Sequence, residues 1–241
     1  MPRFQGDTIY LLTSYLDSEI TGKALAILEI LSYEQYCMSM MLASGVLPSI
    51  LKVLETPVRE FHALSMKILC NLSINSDIGY HMLYLDYIPT LVGFLGDSTL
   101  ARHTVEIIKN LCSIEEARIT VSENIECVVA IGKLLESRDE QEHALDILLS
   151  LCYSGDEYCQ LVMTESIVES LVLISVNGNS RVRLVAMELL QLIGHHKPGN
   201  ASKPRNALLD IDGPCNSKAK KSSSKTFWLL GREVSRFAKS Q

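Results

Sequence analysis

A block of sequence recurs about every forty residues along this chain. Around Ile30, Asn71, Asn110, Ser150 and Gln191 it reads AILEILS, MKILCNLS, EIIKNLCS, DILLSLCY and ELLQLIG, at intervals of 41, 39, 40 and 41 residues. A second set runs in step with the first: GVLPSILKVLE from Gly45, YIPTLVGFLG from Tyr87, NIECVVAIGKLL from Asn124 and SIVESLVLIS from Ser166. A period of this length with helical content at each step predicts an all-α solenoid of about five repeats. A solenoid is mostly surface, and its usual work is to hold another macromolecule along an extended face.

Punctuation divides each unit into helices. In the unit spanning residues 45–85, Gly45 ends one helix and Pro48 sits in the first turn of the next, where its missing N–H costs nothing. Val46, Leu47, Ile50, Leu51, Val53 and Leu54 form an apolar stripe, and Pro57 stops that helix. A longer helix runs through Ser73, and a short one covers roughly residues 77–85. The long third helix can be read by column, counting from the marker residues Ile30, Asn71, Asn110, Ser150 and Gln191. Six before them lie Ala24, Ser65, Thr104, Ala144 and Val185. Two before lie Leu28, Leu69, Ile108, Leu148 and Leu189, and one after lie Leu31, Leu72, Leu111, Leu151 and Leu192. These offsets share one helix face and predict the core.

Residues 7–16 read as a second helix with no first helix ahead of it. A terminal repeat ordinarily carries a polar cap, so Met1 reads as the start of a truncated product, an alternative start or an incomplete gene model. The array is expected to occupy residues 1–196, the last repeat ending near His195 and His196. Residues 197–241, rich in Pro, Gly, Ser and Lys, are expected to form a disordered tail.

Charge separates the two parts. Nine of the 22 bases and three of the 28 acids fall in residues 199–241, a net of +6; the 13 bases and 25 acids before them give −12. An acidic body argues against nucleic acid there, because phosphate contacts need a basic face. No apolar stretch reaches the roughly 18 residues of a membrane span, and the N-terminus lacks the order of a signal peptide. The seven cysteines form no CxxC pair. They read as reduced thiols, which predicts a cytoplasmic or nuclear chain.

The blocks ASGVLPSILKVLE and LCNLS resemble armadillo repeats over residues 7–196, and the LCNLS and NLCS version is most similar to the C-terminal armadillo region of plant U-box ubiquitin-protein ligases. The resemblance implies a right-handed armadillo solenoid that holds a substrate or regulator for protein ubiquitination. In that family a separate U-box, marked by CPI and DPV signatures, recruits the ubiquitin-conjugating enzyme. Neither signature occurs in this chain, so the chain alone is expected not to transfer ubiquitin. The alternatives are a non-enzymatic armadillo scaffold and an adaptor recruited to a membrane by its tail.

In armadillo proteins an Asn of the third helix faces the concave groove and bonds the backbone of an extended peptide. The matching positions are Asn71 and Asn110; Ile30, Ser150 and Gln191 depart from the pattern. An amide suits that task as donor and acceptor, but equally suits bonding within the solenoid, and both readings stay open. Import receptors of this fold add a Trp four residues earlier, where this chain has Ala26, Lys67, Glu106, Asp146 and Met187. Lys67, His103, Glu106, His143, Asp146 and Ser150 complete the candidate groove, either a mildly acidic channel for a Lys- or Arg-bearing segment or simply a solvated helix face. Two His–acid pairs without a cysteine make a weak metal set, and no cofactor is expected. In the tail, Phe227, Leu230, Val234 and Phe237 share one face of a basic segment with Trp228, suited to a partner groove, an anionic membrane or the chain's own acidic body.

Overall fold

The computed structural model describes residues 4–162 and 164–195, and among these every regular element is helical. The first layer holds α1 (Phe4–Ser14), prolonged by a 3₁₀ turn (Tyr15–Asp17), and α2 (Thr21–Leu31). Each later layer has three helices. They are α3 (Gln35–Ala43), α4 (Val46–Glu55) and α5 (Arg59–Ser73); then α6 (Ser76–Tyr84), α7 (Tyr87–Val92) and α8 (Ala101–Leu111). The fourth layer comprises α9 (Glu115–Glu123), α10 (Ile125–Leu134) and α11 (Gln141–Ser154), and the fifth α12 (Asp156–Val162), α13 (Glu165–Asn177) and α14 (Ser180–His195). The segment 227–237, with Phe227, Trp228, Leu230, Val234 and Phe237, lies outside the described residues, as does His196.

Local chemistry sets the boundaries. Gly45 stands between α3 and α4 with φ 76°, a left-handed conformation that costs glycine little. Asp86 holds the same point of the next layer at φ 58°. Asn75, Asn124 and Asn179 each place a carboxamide oxygen on free backbone N–H groups of the following helix, as at Asp77 N (2.9 Å), Cys127 N (3.0 Å) and Arg181 N (3.0 Å). The repeat block YIPTLVGFLG spans ten residues, but α7 stops at Val92. Gly93 and Gly96 lower helix propensity there, and Asp97 folds the chain into a turn by accepting from Thr99 N and Thr99 Oγ1.

Layers stack through the third helices, α2 on α5, α5 on α8, α8 on α11 and α11 on α14. The predicted columns form this core. Ala24, Ser65, Thr104 and Ala144 are buried, and so are the five residues two before the markers. Only the ends loosen, with Leu31, Val185 and Leu192 half-buried. Close approach is enforced where Gly132 meets Ile167, since a Cβ there would fall 2.8 Å from Ile167 Cγ1. Tyr87, wholly buried, donates its hydroxyl to Leu47 O of the preceding layer. Six buried free cysteines, Cys37, Cys70, Cys112, Cys127, Cys152 and Cys159, serve as small hydrophobes. Burial raises their thiols, Cys112 and Cys127 to about 12.

Candidate functional site

The third helices present one continuous face, and the marker residues run across it. Asn71 Nδ2 donates to Ser32 Oγ at 2.7 Å, and Asn110 Nδ2 donates to Ser73 Oγ at 3.0 Å. Each serine in turn donates to a carbonyl of its own helix, Ser32 to Glu29 O and Ser73 to Cys70 O. The asparagines therefore staple each layer to the one before it. Ser150 continues the series, bonding Ile147 O and lying against the Cys112 thiol of the preceding layer. The carboxamide oxygens of Asn71 and Asn110 make no hydrogen bond among the described residues, so each asparagine retains an acceptor for a bound backbone.

Charges on this face are arranged in pairs between layers. Lys67 Nζ lies 3.7 Å from Glu29, and Lys109 Nζ lies 3.9 Å from Asp146. Arg181 bridges Glu142 and Asp146, at 3.6 Å from the latter. Asp146 thus sits between two cations and is not the open carboxylate that a purely acidic channel requires. Glu106 forms no ion pair among the described residues; across the layer the Cys70 thiol lies 4.0 Å from its Oε2 and donates to His103 O at 3.3 Å. Exposed pairs of this kind contribute at most about 1 kcal/mol each, but they fix where charge stands on the face.

Glu29, Lys109, Glu142 and Arg181 are the residues that reading along the sequence missed. A signal for two of the pairings exists in the register. The residue one before the marker in one layer meets the residue four before it in the next, as Glu29 meets Lys67 and Lys109 meets Asp146.

His103 and His143 lie half-buried at equivalent positions, each with its Nδ1 buried and without a hydrogen-bond partner. Burial lowers the His103 pKa, with Lys67 and Arg102 acting in the same direction and Glu106 and Glu29 opposing. No three His, Cys, Asp or Glu side chains among the described residues are grouped to hold a metal ion. The histidines instead flank a central strip carrying Glu106, Asn110, Asp146 and Ser150. Exposed apolar side chains bound that strip at either end, Ile30 in the first layer and Leu184 and Met187 in the last.

A model of the plant U-box protein ARM repeat region matches residues 7–206. The chain is 41% identical over 184 residues to U-box domain-containing protein 5 of Arabidopsis thaliana, a match that covers 74% of this chain and 26% of that relative. The chain thus spans about a quarter of the relative's length. Among solved structures, computationally designed armadillo repeat proteins for modular peptide recognition superpose with a TM-score of 0.70 at 18% identity, over 76% of this chain and 81% of theirs. A designed armadillo repeat protein in complex with the peptide (KR)4 superposes with a TM-score of 0.67 at 17% identity, over 77% of this chain and 81% of that one.

Proposed function

This chain belongs to the plant U-box protein ARM repeat family, and from that premise we propose that its third-helix face holds a protein substrate or regulator of a U-box-type ubiquitin ligase. The observation that carries this reading is the polar strip on α8 and α11. Glu106 forms no ion pair there, the Asn110 carboxamide oxygen is available, and the neighbouring charges are paired between layers. Such a strip can read the backbone of an extended segment through the amide and a Lys or Arg through Glu106. The relative's name supports the ubiquitination setting, and the designed armadillo proteins support the peptide-holding mode. The role assigned is holding, not transfer. Residues 1–196 do the holding, with the basic 197–241 as an appendage, and the buried thiols suit cytoplasm or nucleus.

Selection of random displayed peptides against the chain tests the reading. Selected peptides should be rich in Lys or Arg. Glu106→Lys and Asn110→Ala should each weaken them about tenfold, a change of roughly 1.4 kcal/mol. Leu173→Ser on α13 should leave binding unchanged. Peptides indifferent to both face variants would remove the site. Given ubiquitin with activating and conjugating enzymes, the chain should form no ubiquitin conjugates, and robust self-conjugation would overturn the holding role.

A further inference from the structure

The groove columns change character in the last layer. Seven before the marker, His103 and His143 give way to Leu184; four before it, Glu106 and Asp146 give way to Met187. Leu184 is 66% exposed and Met187 44%. A spacing of three puts both on one face of α14. These are not the columns that join layer to layer. Met66 contacts Thr104 and Ser73 contacts Asn110, so positions five before and two after the marker face the following layer. In the last layer those positions hold Ala186 and Ile193, both buried. The columns seven and four before the marker stay open even where a layer has a neighbour on each side, since His103, Glu106, His143 and Asp146 are all only half-buried. The apolar pair therefore belongs to the groove.

Charge along the same face sets a polarity. Lys67 is paired with Glu29, and Asp146 lies between Lys109 and Arg181. In the third layer Glu106 forms no ion pair among the described residues and keeps its carboxylate for a ligand. The last layer is basic beside its apolar pair. Arg181 reaches back to Glu142 and Asp146, and Arg183, next to Leu184, is exposed. A ligand's ammonium or guanidinium is drawn to the third layer and repelled from the fifth, which is left to an uncharged side chain.

We propose that the groove reads two side chains of one extended protein segment, a Lys or Arg at Glu106 and a bulky apolar residue, Leu, Met or Phe, across Leu184 and Met187. The inference rests on this face being the peptide-holding one and names what is held. Packed helices lie roughly 8–10 Å apart, so two layers separate the subsites by about 16–20 Å. An extended chain advances about 3.3 Å per residue, which spaces the two ligand residues about five or six positions apart. Between them the fourth layer offers no open charge, since Asp146 is paired and Ser150 donates to Ile147 O. The intervening ligand positions are thus free to vary. Met187 is unbranched and polarizable, so it accommodates an aliphatic side chain or an aromatic ring.

Sequencing of displayed random peptides retained by the 241-residue chain should show a bulky apolar residue enriched about five or six positions from the Lys or Arg. With Leu184→Ser and Met187→Ser together the apolar preference should vanish while the Lys or Arg preference stays. With Glu106→Lys the basic preference should vanish while the apolar one stays. The melting temperature of the α14 variant should match that of the parent chain, because both side chains are exposed. A retained peptide whose apolar residue is replaced by Ser should bind the parent chain roughly tenfold more weakly, the effect of burying one such side chain. The same replacement should cost nothing further on the α14 variant, because the two changes remove one contact. Pools without an apolar preference, a preference at another spacing, or one that survives both α14 substitutions would each overturn the two-point recognition and leave the Glu106 subsite standing. Pools without Lys or Arg and indifferent to Glu106→Lys would instead remove the peptide-holding face itself, and the two-point recognition with it.

Discussion

Ser65 and His103 show how much a single position says once its neighbours are known. Ser65 occupies a column filled by alanine in two other layers, and its hydroxyl is buried without a partner. A buried polar atom left unpaired costs about 1–3 kcal/mol, so its removal recovers part of that. Ser65→Ala should raise stability by about 1 kcal/mol, read as a melting temperature a few degrees higher; a lower one would mean that the hydroxyl is satisfied in solution. His103 is a base whose folded pKa is lowered, chiefly by burial. The unfolded chain takes up a proton near pH 6.5 that the folded chain refuses. The stability tied to His103 is thus fully present above about pH 6.5 and drains away as pH falls from there through the folded pKa. His103→Gln should narrow the difference in melting temperature between neutral and mildly acidic solution. An unchanged difference would show that His103 titrates as an exposed imidazole.

At the scale of elements, the third helices were legible because burial follows the phase of one helix, and phase is written locally. The columns through Leu28, Leu69 and Ile108 needed only the 3.6-residue period. What stayed hidden was lateral register. Whether Asn110 meets a ligand or Ser73 depends on how α8 sits against α5, and no periodicity within α8 carries that. The shortened α7 escaped for a related reason: its apolar pattern continues to Leu95, and the turn at Asp97 competes with it successfully. A double-mutant cycle isolates the staple. Asn110→Ala and Ser73→Ala should each destabilise, and together by about 1 kcal/mol less than their sum, the size of one hydrogen bond. Strict additivity would mean the two side chains do not pair in solution.

Across the whole molecule, the repeat period alone was enough to anticipate a solenoid, because stacking identical units leaves few alternatives. The candidate strip was only half legible. Its residues lie in predictable columns, yet the pairing that neutralises Asp146 is a property of three adjacent layers together. In such a stack each layer answers mainly to its neighbours, so layers can open separately and the molecule need not unfold as one. The cysteines turn that into something that can be timed. The second layer holds Cys37 and Cys70, the third Cys112, the fourth Cys127 and Cys152, and the fifth Cys159, all sealed from solvent. With Cys215 replaced by serine, a thiol-alkylating reagent reaches a given sulfur only when its layer opens, and peptide mass spectrometry then reads each layer's opening rate separately.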